Sequence, residues 1–475
     1  MVTKTKRALA LILTGMMAAT ALAGCGQTSP NVTPSASTPA ASGSTSTSDG
    51  ESQQGASDVA VTDIEDAGTI ETLKSAMADE ASANGGTIKL EVWCSSDDGK
   101  FEKTLVKSFK EKYNDSRYKF DISVKTSYGE DKAGSKIMES PKDGADVFNF
   151  ADDQLSTLVQ GKAIAEIGQL FQGNVKANNT EDSVAVCSID GTAYAFPKTS
   201  DNGYFMYYDK RVFKTEEDVA ELDKMIETAN AAGKNVFISL GNGWYNAGFY
   251  FAAGCTISYD SATKKQTASF NTPEGLNAAK AMCHVSQKVG SGFMGSAGQS
   301  GENATVQQGF SDGTMAAAVI GTWMGPAIKK AIGEENVGAA KLPTALIGDQ
   351  QVQLHSFGGY KIVGVNAFTK FPIAAQTLAY YLTNADSQKA RYAERGLIPT
   401  NKAAVESDEI KNDPALKAIN DQKPYAHAQG QSVSSKFWSA NVGGFGGDIV
   451  TAKGNMSDAD LQKGLQDLVT QIESE

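Results

Sequence analysis

The chain has 475 residues, 21% of them charged and 41% hydrophobic, with a formal net charge of −12 at pH 7. That length exceeds what one hydrophobic core ordinarily serves, so two domains are expected of an otherwise ordinary globular composition. The negative balance offers no basic field to replace phosphate counterions, which argues against a nucleic-acid partner.

The first residues read as an address. Lys4, Lys6 and Arg7 form a positive n-region, Ala8 to Leu22 is an apolar core, and Leu22-Ala23-Gly24-Cys25 follows directly. The apolar run is too short for a spanning helix and has no stop-transfer flank, so it reads as a secretory signal. The small residues before Cys25 resemble the lipobox of bacterial lipoproteins. That resemblance implies removal of residues 1–24, lipidation of Cys25, and a fold held at the extracellular face of the cell membrane through lipid chains only. Residues 25–86 are dominated by Ser, Thr, Ala, Pro, Gly and acidic residues, and the first aromatic residue of the chain is Trp93. Such a stretch buries too little apolar surface to offset its chain entropy, and a coil of ~60 residues reaches roughly 40–45 Å. Ile70, Leu73 and Met77 are spaced for a short helix within it.

The folded part begins at Thr87. Ile88, Leu90 and Val92 alternate along a strand that runs to Trp93, and Phe101, Leu105, Phe109 and Tyr113 recur every fourth residue along a helix. Strands at Tyr118 to Val124 and Ala145 to Phe150 continue a βαβ pattern, which predicts a mainly parallel sheet. Gly191 to Phe213 holds two aromatic strands separated by the polar run Lys198 to Asn202. It reads equally as a β-hairpin or as a joint between two sheets. Helices are expected over 217–232, from Thr272-Pro273, and over 371–383, 387–395, 414–427 and 457–473. Further strands are expected over 236–240, 314–320 and 360–365. Cys94, Cys187, Cys255 and Cys283 have no readable pairing, and His284, His355 and His427 are too scattered for zinc. No metal, cofactor or catalytic residue is expected.

In open α/β sheets ligands bind beyond the carboxyl ends of the strands, so those loops are the candidates. The first strand ends in Trp93, with Asp97 and Asp98 after it; the strand at Val147 ends in Phe150, with Asp152 and Asp153; the joint carries Asp201 and Asn202. Carboxylates there suit hydrogen bonding to neutral hydroxyls, each bond contributing ~1.5–3 kcal/mol. For Asp98 and Asp153 a helix-capping role is an equal alternative. Trp244 with Tyr245, and Trp323 with Met324, follow later strands; Trp438 lies beside Phe437 in a helical region. Flat rings offer platforms for the C–H faces of sugars, although one Trp alone is more often core.

Taken together, Ala145–Ile167, Asp312–Ile328 and Leu382–Ala404 resemble the extracellular solute-binding proteins of bacterial ABC importers, in the carbohydrate group that includes maltose- and maltodextrin-binding proteins. The resemblance covers the chain from Thr87 onward. It implies a two-lobed periplasmic-binding-protein-like α/β fold with the ligand between lobes, one lobe being 87–199 plus 341–395 and the other 200–340 plus 396–475. Asp97, Asp98, Phe150, Asp153 and Asp201 fall where maltodextrin binders place sugar contacts in the first lobe and at the joint. Trp244, Tyr245, Trp323 and Trp438 fall where they place aromatic platforms in the second, with Phe357 as a further wall. Phe150 stands in place of a Trp and Gln154 in place of an Arg of the enteric maltose binder. The implied role is a monomeric receptor for an α-glucan oligosaccharide that delivers ligand to ABC permease transmembrane subunits. The alternatives are the same role for another oligosaccharide, and a secreted glycoside hydrolase, which also needs paired carboxylates.

Overall fold

The computed structural model describes residues 63–474, apart from 261–262, 296–297, 431, 435–436 and 439. The signal segment, Cys25 and most of the expected tether lie outside the described residues. The end of that tether does not. Helix α1 (Ala67–Ala83) is capped by Asp66, whose side chain accepts from the amides of Gly68 and Thr69. Leu73, Met77 and Ala81, with Ile64 before them, are fully buried in the first core. The flexible stretch expected to reach residue 86 therefore gives way to packed chain by Ile64, because a cap and an apolar stripe seat one helix on the core.

From Thr87 the periodicity is realised as β1 (Thr87–Trp93), α2 (Gly99–Lys112), β2 (Lys119–Lys125) and β3 (Val147–Ala151). β4 (Ala195–Thr199) and β5 (Phe205–Asp209) follow, both buried along their whole length. Next come β6 (Asn235–Phe237), α3 (Gly243–Ala252), α4 (Gly298–Ser311), β7 (Met315–Ile320) and β8 (Val337–Ala340). β9 (Ser356–Gly358), β10 (Lys361–Val365), α5 (Pro372–Thr383) and α6 (Ala385–Arg395) lead to α7 (Pro414–Gln422), β11 (Ala426–Ala428), α8 (Val442–Thr451) and α9 (Asp458–Glu473). At α9 the expected cap is present, with the Ser457 hydroxyl accepting from the Asp460 amide at 3.2 Å.

The two larger sheets are ordered β2-β1-β3-β10-β4 and β8-β5-β7-β6, with four two-stranded sheets, β9 with β11 among them, beside them in the described residues. β4 and β5, only five residues apart, belong to different sheets, so Ser200 to Tyr204 is a crossing rather than a hairpin turn. The first sheet is mixed, not mainly parallel: β1 pairs in parallel with β2 and β3, whereas β10 runs antiparallel to both β3 and β4. The reason is connectivity. β10 arrives directly from β9, whose Phe357 packs in the second core, instead of returning over a helix, so no crossover rule constrains its direction.

Each larger sheet has its own core. Ile88, Leu90, Val92, Phe109 and Val363 pack with α1 and α5 in one; Phe205, Tyr207, Phe237, Phe270 and Ile320 centre the other. Residues 341–357, expected with the first lobe, pack with the second, since Leu342, Ala345, Ile347, Leu354 and Phe357 belong to its core. The return crossing thus falls between β9 and β10.

α1 gives a direct check on where the folded unit starts. Leu73→Ala removes a fully buried side chain, and a loss of about 2–5 kcal/mol in denaturant unfolding is expected; an unchanged midpoint would detach α1 from the core.

Candidate functional site

Strand direction decides which residues can meet. β4 leaves the first sheet at Thr199, so the crossing starts from its carboxyl end, which is also the end reached by Trp93 and Ala151 because β10 is antiparallel to β3 and β4, and β1 is parallel to β3. β5 enters the second sheet from the same crossing. β7 runs antiparallel to β5 and β6 runs with β7, so Phe237 and Ile320 end facing back toward the first sheet. The carboxyl ends of both sheets therefore look at each other across one cleft.

On the first wall stand Asp152 and Asp153, in the turn that follows β3. Asp152 is buried with its Oδ1 lacking a hydrogen-bond partner, and so is Asp153 Oδ1. Gly359 and Gly430 press against Asp152: a methyl group on either would stand 2.7 or 3.2 Å from its carboxylate oxygens. Asp153 Oδ2 accepts from the indole Nε1 of Trp438 at 3.2 Å, a contact that spans the cleft. Burial, reinforced by the Asp153 charge, pushes the Asp152 carboxyl up to about 8. Burial likewise raises Asp153 to about 6, with hydrogen bonds from Gln429 and Trp438 opposing.

At the crossing, the Thr322 hydroxyl donates to Asp201 Oδ2 while Asp201 Oδ1 is buried without a partner. Asn202 Nδ2 donates to Gln429 Oε1 at 3.3 Å, and the same oxygen accepts from Trp244 Nε1 at 3.1 Å. On the second wall Trp244 lies 6.0 Å from Trp323, centroid to centroid, with the planes 38° apart. The Trp323 indole folds back so tightly over Gly321 that a methyl group there would lie 1.9 Å from the ring, so only glycine fits. Lys361, at the start of β10, holds its ammonium 5.3 Å from the centre of the Trp323 ring, a second contact between the walls. Beyond Trp438 a hollow of about 340 Å³ opens toward Asn242, Asn441 and Gly443.

The structure thus brings together Asp152, Asp153, Asp201, Asn202, Trp244, Trp323 and Trp438. It withdraws others. Trp93 packs its ring 4.6 Å from Tyr128 and donates Nε1 to Glu91 at 2.6 Å, and Phe150 is fully buried beside Phe148 at 5.2 Å. Both lie on the sheet face turned to a small core with Ile137 and Leu155, so neither offers a free ring. Phe357 and Phe437 are fully buried against one another and Trp438. Tyr245 and Met324 are also core, Tyr245 packing on Tyr204. Asp97 is solvent-exposed.

Asp98 is neither a helix cap nor a free acceptor. It makes no side-chain capping bond to α2. One oxygen meets Lys198 Nζ and the other Arg395 Nε, each at 3.0 Å. Lys198, fully buried, also lies 3.5 Å from Glu102 and 3.4 Å from Glu130, and Arg391 lies 3.4 Å from Glu102. Burial alone would raise the Asp98 carboxyl, but the Lys198, Arg391 and Arg395 charges hold it well below the usual carboxylate range. Among the described residues Cys94, Cys187, Cys255 and Cys283 are buried free thiols. Gln429, Thr322 and Lys361 went unnoticed as site residues in the sequence, where no acidic pair or aromatic run marks them.

The raised Asp152 carboxyl has a sign that can be tested. Below about pH 4 folded and unfolded chains both hold the proton. Between there and about 8 the unfolded chain ionises first, so folded stability falls as pH rises. Asp152→Asn is therefore expected to raise the melting temperature of the ligand-free protein at pH 8 and to leave it nearly unchanged at pH 4; an equal effect at both would contradict the buried, neutral carboxyl.

A family model described as bacterial extracellular solute-binding protein matches residues 104–418. A galactooligosaccharide-binding protein of Bacillus subtilis (strain 168) is 26% identical over 296 residues, 60% of this chain and 66% of that protein. A maltooligosaccharide ABC transporter solute-binding lipoprotein of Streptococcus pneumoniae (strain ATCC BAA-255 / R6) is 26% identical over 287 residues, 58% of this chain and 64% of that one. The chain thus spans just under two thirds of the length of these relatives. A structure solved with acarbose superposes with a TM-score of 0.71 at 32% identity, covering 82% of this chain and 99% of that one. The maltodextrin binding protein of L. casei BL23 without ligand shares the fold, with a TM-score of 0.64 at 22% identity, covering 82% and 100%.

Proposed function

This chain belongs to the bacterial extracellular solute-binding protein family, and we propose that it is the carbohydrate receptor of an ABC importer, binding α-glucan oligosaccharides between its two lobes. The observation that carries this reading is the pairing of chemistries across the cleft. Asp152, Asp153 and Asp201 each present a buried carboxylate oxygen without a donor, facing Trp244, Trp323 and Trp438. Sugar hydroxyls would supply the missing donors, and the indole rings would cover the C–H faces between them.

The acarbose-bound relative supports the α-glucan class, because acarbose is a mimic of that class and its protein has the highest identity of those compared above. The Bacillus subtilis relative favours a second reading, in which the oligosaccharide is built on galactose. Anchoring at Cys25, delivery to permease transmembrane subunits and a monomeric state complete the proposal. The anchor rests on the lipobox-like sequence and delivery to the permease on the Streptococcus pneumoniae relative's printed role, while the monomeric state rests on the family resemblance alone. Among the described residues no helix is long and apolar enough to cross a membrane.

Calorimetry against maltotriose to maltohexaose and against galactooligosaccharides, with product analysis of the same mixtures, decides the class. Heat with the maltooligosaccharides and intact glycans afterwards is the expected result; heat with galactooligosaccharides alone would move the receptor to the second reading, and cleavage would end the binding-only role. Trp323→Ala is expected to weaken maltooligosaccharide binding by at least ~tenfold, as the loss of a central aromatic contact does.

A further inference from the structure

Trp244 and Trp323 approach the cleft from different elements, the first turn of α3 and a short turn (Thr322–Met324) after β7. Two rings serve as one platform only while their mutual angle is kept, because a ligand spanning both must meet both faces at once. Trp323 folds onto Gly321 of its own segment and the Trp244 indole nitrogen is held by Gln429, but neither contact links the two segments. Both are tied to the same point of α4.

Asn303 Oδ1, on α4, accepts from Trp323 Nε1 at 3.0 Å. The preceding residue, Glu302, is 1% exposed. Its two carboxylate oxygens each lie 3.2 Å from Asn242 Nδ2, and it accepts from the Ser239 hydroxyl as well. Asn242 in turn uses its own Oδ1 to accept from the Trp244 amide at 2.9 Å, capping α3. A buried carboxylate persists only where donors compensate its lost hydration. Burial raises the Glu302 carboxyl and the bonds from Ser239 and Asn242 draw it back. Consecutive helical residues point about 100° apart, so adjacent side chains on one rigid helix reach two separate loops.

We infer that Glu302 and Asn303 are positioning residues that set the angle between Trp244 and Trp323, and through it the affinity for an oligosaccharide spanning both rings. The ligand in this inference rests on the proposed function; the geometry does not.

The test compares wild type, Asn303→Ala, Asn303→Asp and Glu302→Gln as full chains. Near-ultraviolet circular dichroism of the ligand-free proteins reads the indole pair, and calorimetry with maltotriose reads affinity. Asn303→Ala is expected to change the spectrum and to weaken binding about three- to tenfold, the value of one neutral hydrogen bond. Asn303→Asp keeps an acceptor and is expected to restore both. Glu302→Gln turns one acceptor into a donor facing Asn242 and is expected to alter the same spectrum. Wild-type spectra and affinity in Asn303→Ala would overturn the inference, as would equal losses in Asn303→Ala and Asn303→Asp. Should wild type take up no maltotriose, the α-glucan reading fails by itself, and the ligand-free spectra still decide the positioning role.

Discussion

A carboxylate oxygen buried without a donor is costly, and this cleft holds three, on Asp152, Asp153 and Asp201. Desolvation of that kind disfavours the charged form and is ordinarily relieved by a proton, a cation or a hydrogen-bond donor. At Asp152 the fold relieves it with a proton, burial raising that carboxyl to about 8. It spends its buried cations elsewhere, on Asp98, Glu102 and Glu130 around Lys198 and Arg391. The two acidic sets differ by role: one is neutralised by cations and locks α2 and α6 to the first sheet, the other keeps unpartnered oxygens at the mouth between sheets.

The chain's route makes those acceptors matter for motion. Asp201 and Asn202 sit between β4 and β5, on the segment that must flex if the sheets move apart. Trp438 on Asp153 and Lys361 over Trp323 connect the walls directly. Such polar and cation–π contacts are small in value beside the two cores. A ligand that donates to Asp152, Asp153 and Asp201 while covering the indoles would add differential affinity for the closed arrangement, which is what shifts a population.

Much of this was legible in the sequence. The alternating run at Thr87, the apolar run at Ala145 to Phe150 and the period-4 run from Phe101 mark strands and helix nearly to the residue, because local burial patterns decide them. Asp152, Asp153, Asp201, Asn202, Trp244 and Trp323 were singled out by a rule about strand ends, and Trp438 by the resemblance, and the structure brings the seven together. The same rule misassigned Trp93 and Phe150, whose side chains belong to the sheet face; alternation with Phe148 marks Phe150 as a partner of the core. Asp98 was unreadable because its cations, Lys198 and Arg395, lie 100 and 297 residues away. Gln429 joins Asn202, Trp244 and Asp153 from a segment with no periodicity at all. The direction of β10 and the side taken by residues 341–357 were likewise set by long-range packing.

Closure on ligand is the central claim, and a distance between lobes tests it most directly. The native thiols Cys94, Cys187, Cys255 and Cys283 are buried, so cysteines introduced at exposed Lys142 and Lys330, one on each lobe, take spin labels selectively. Pulsed electron-spin resonance with and without saturating maltotriose should show the inter-lobe distance distribution shift and narrow. An identical distribution under conditions where calorimetry records binding would contradict the account.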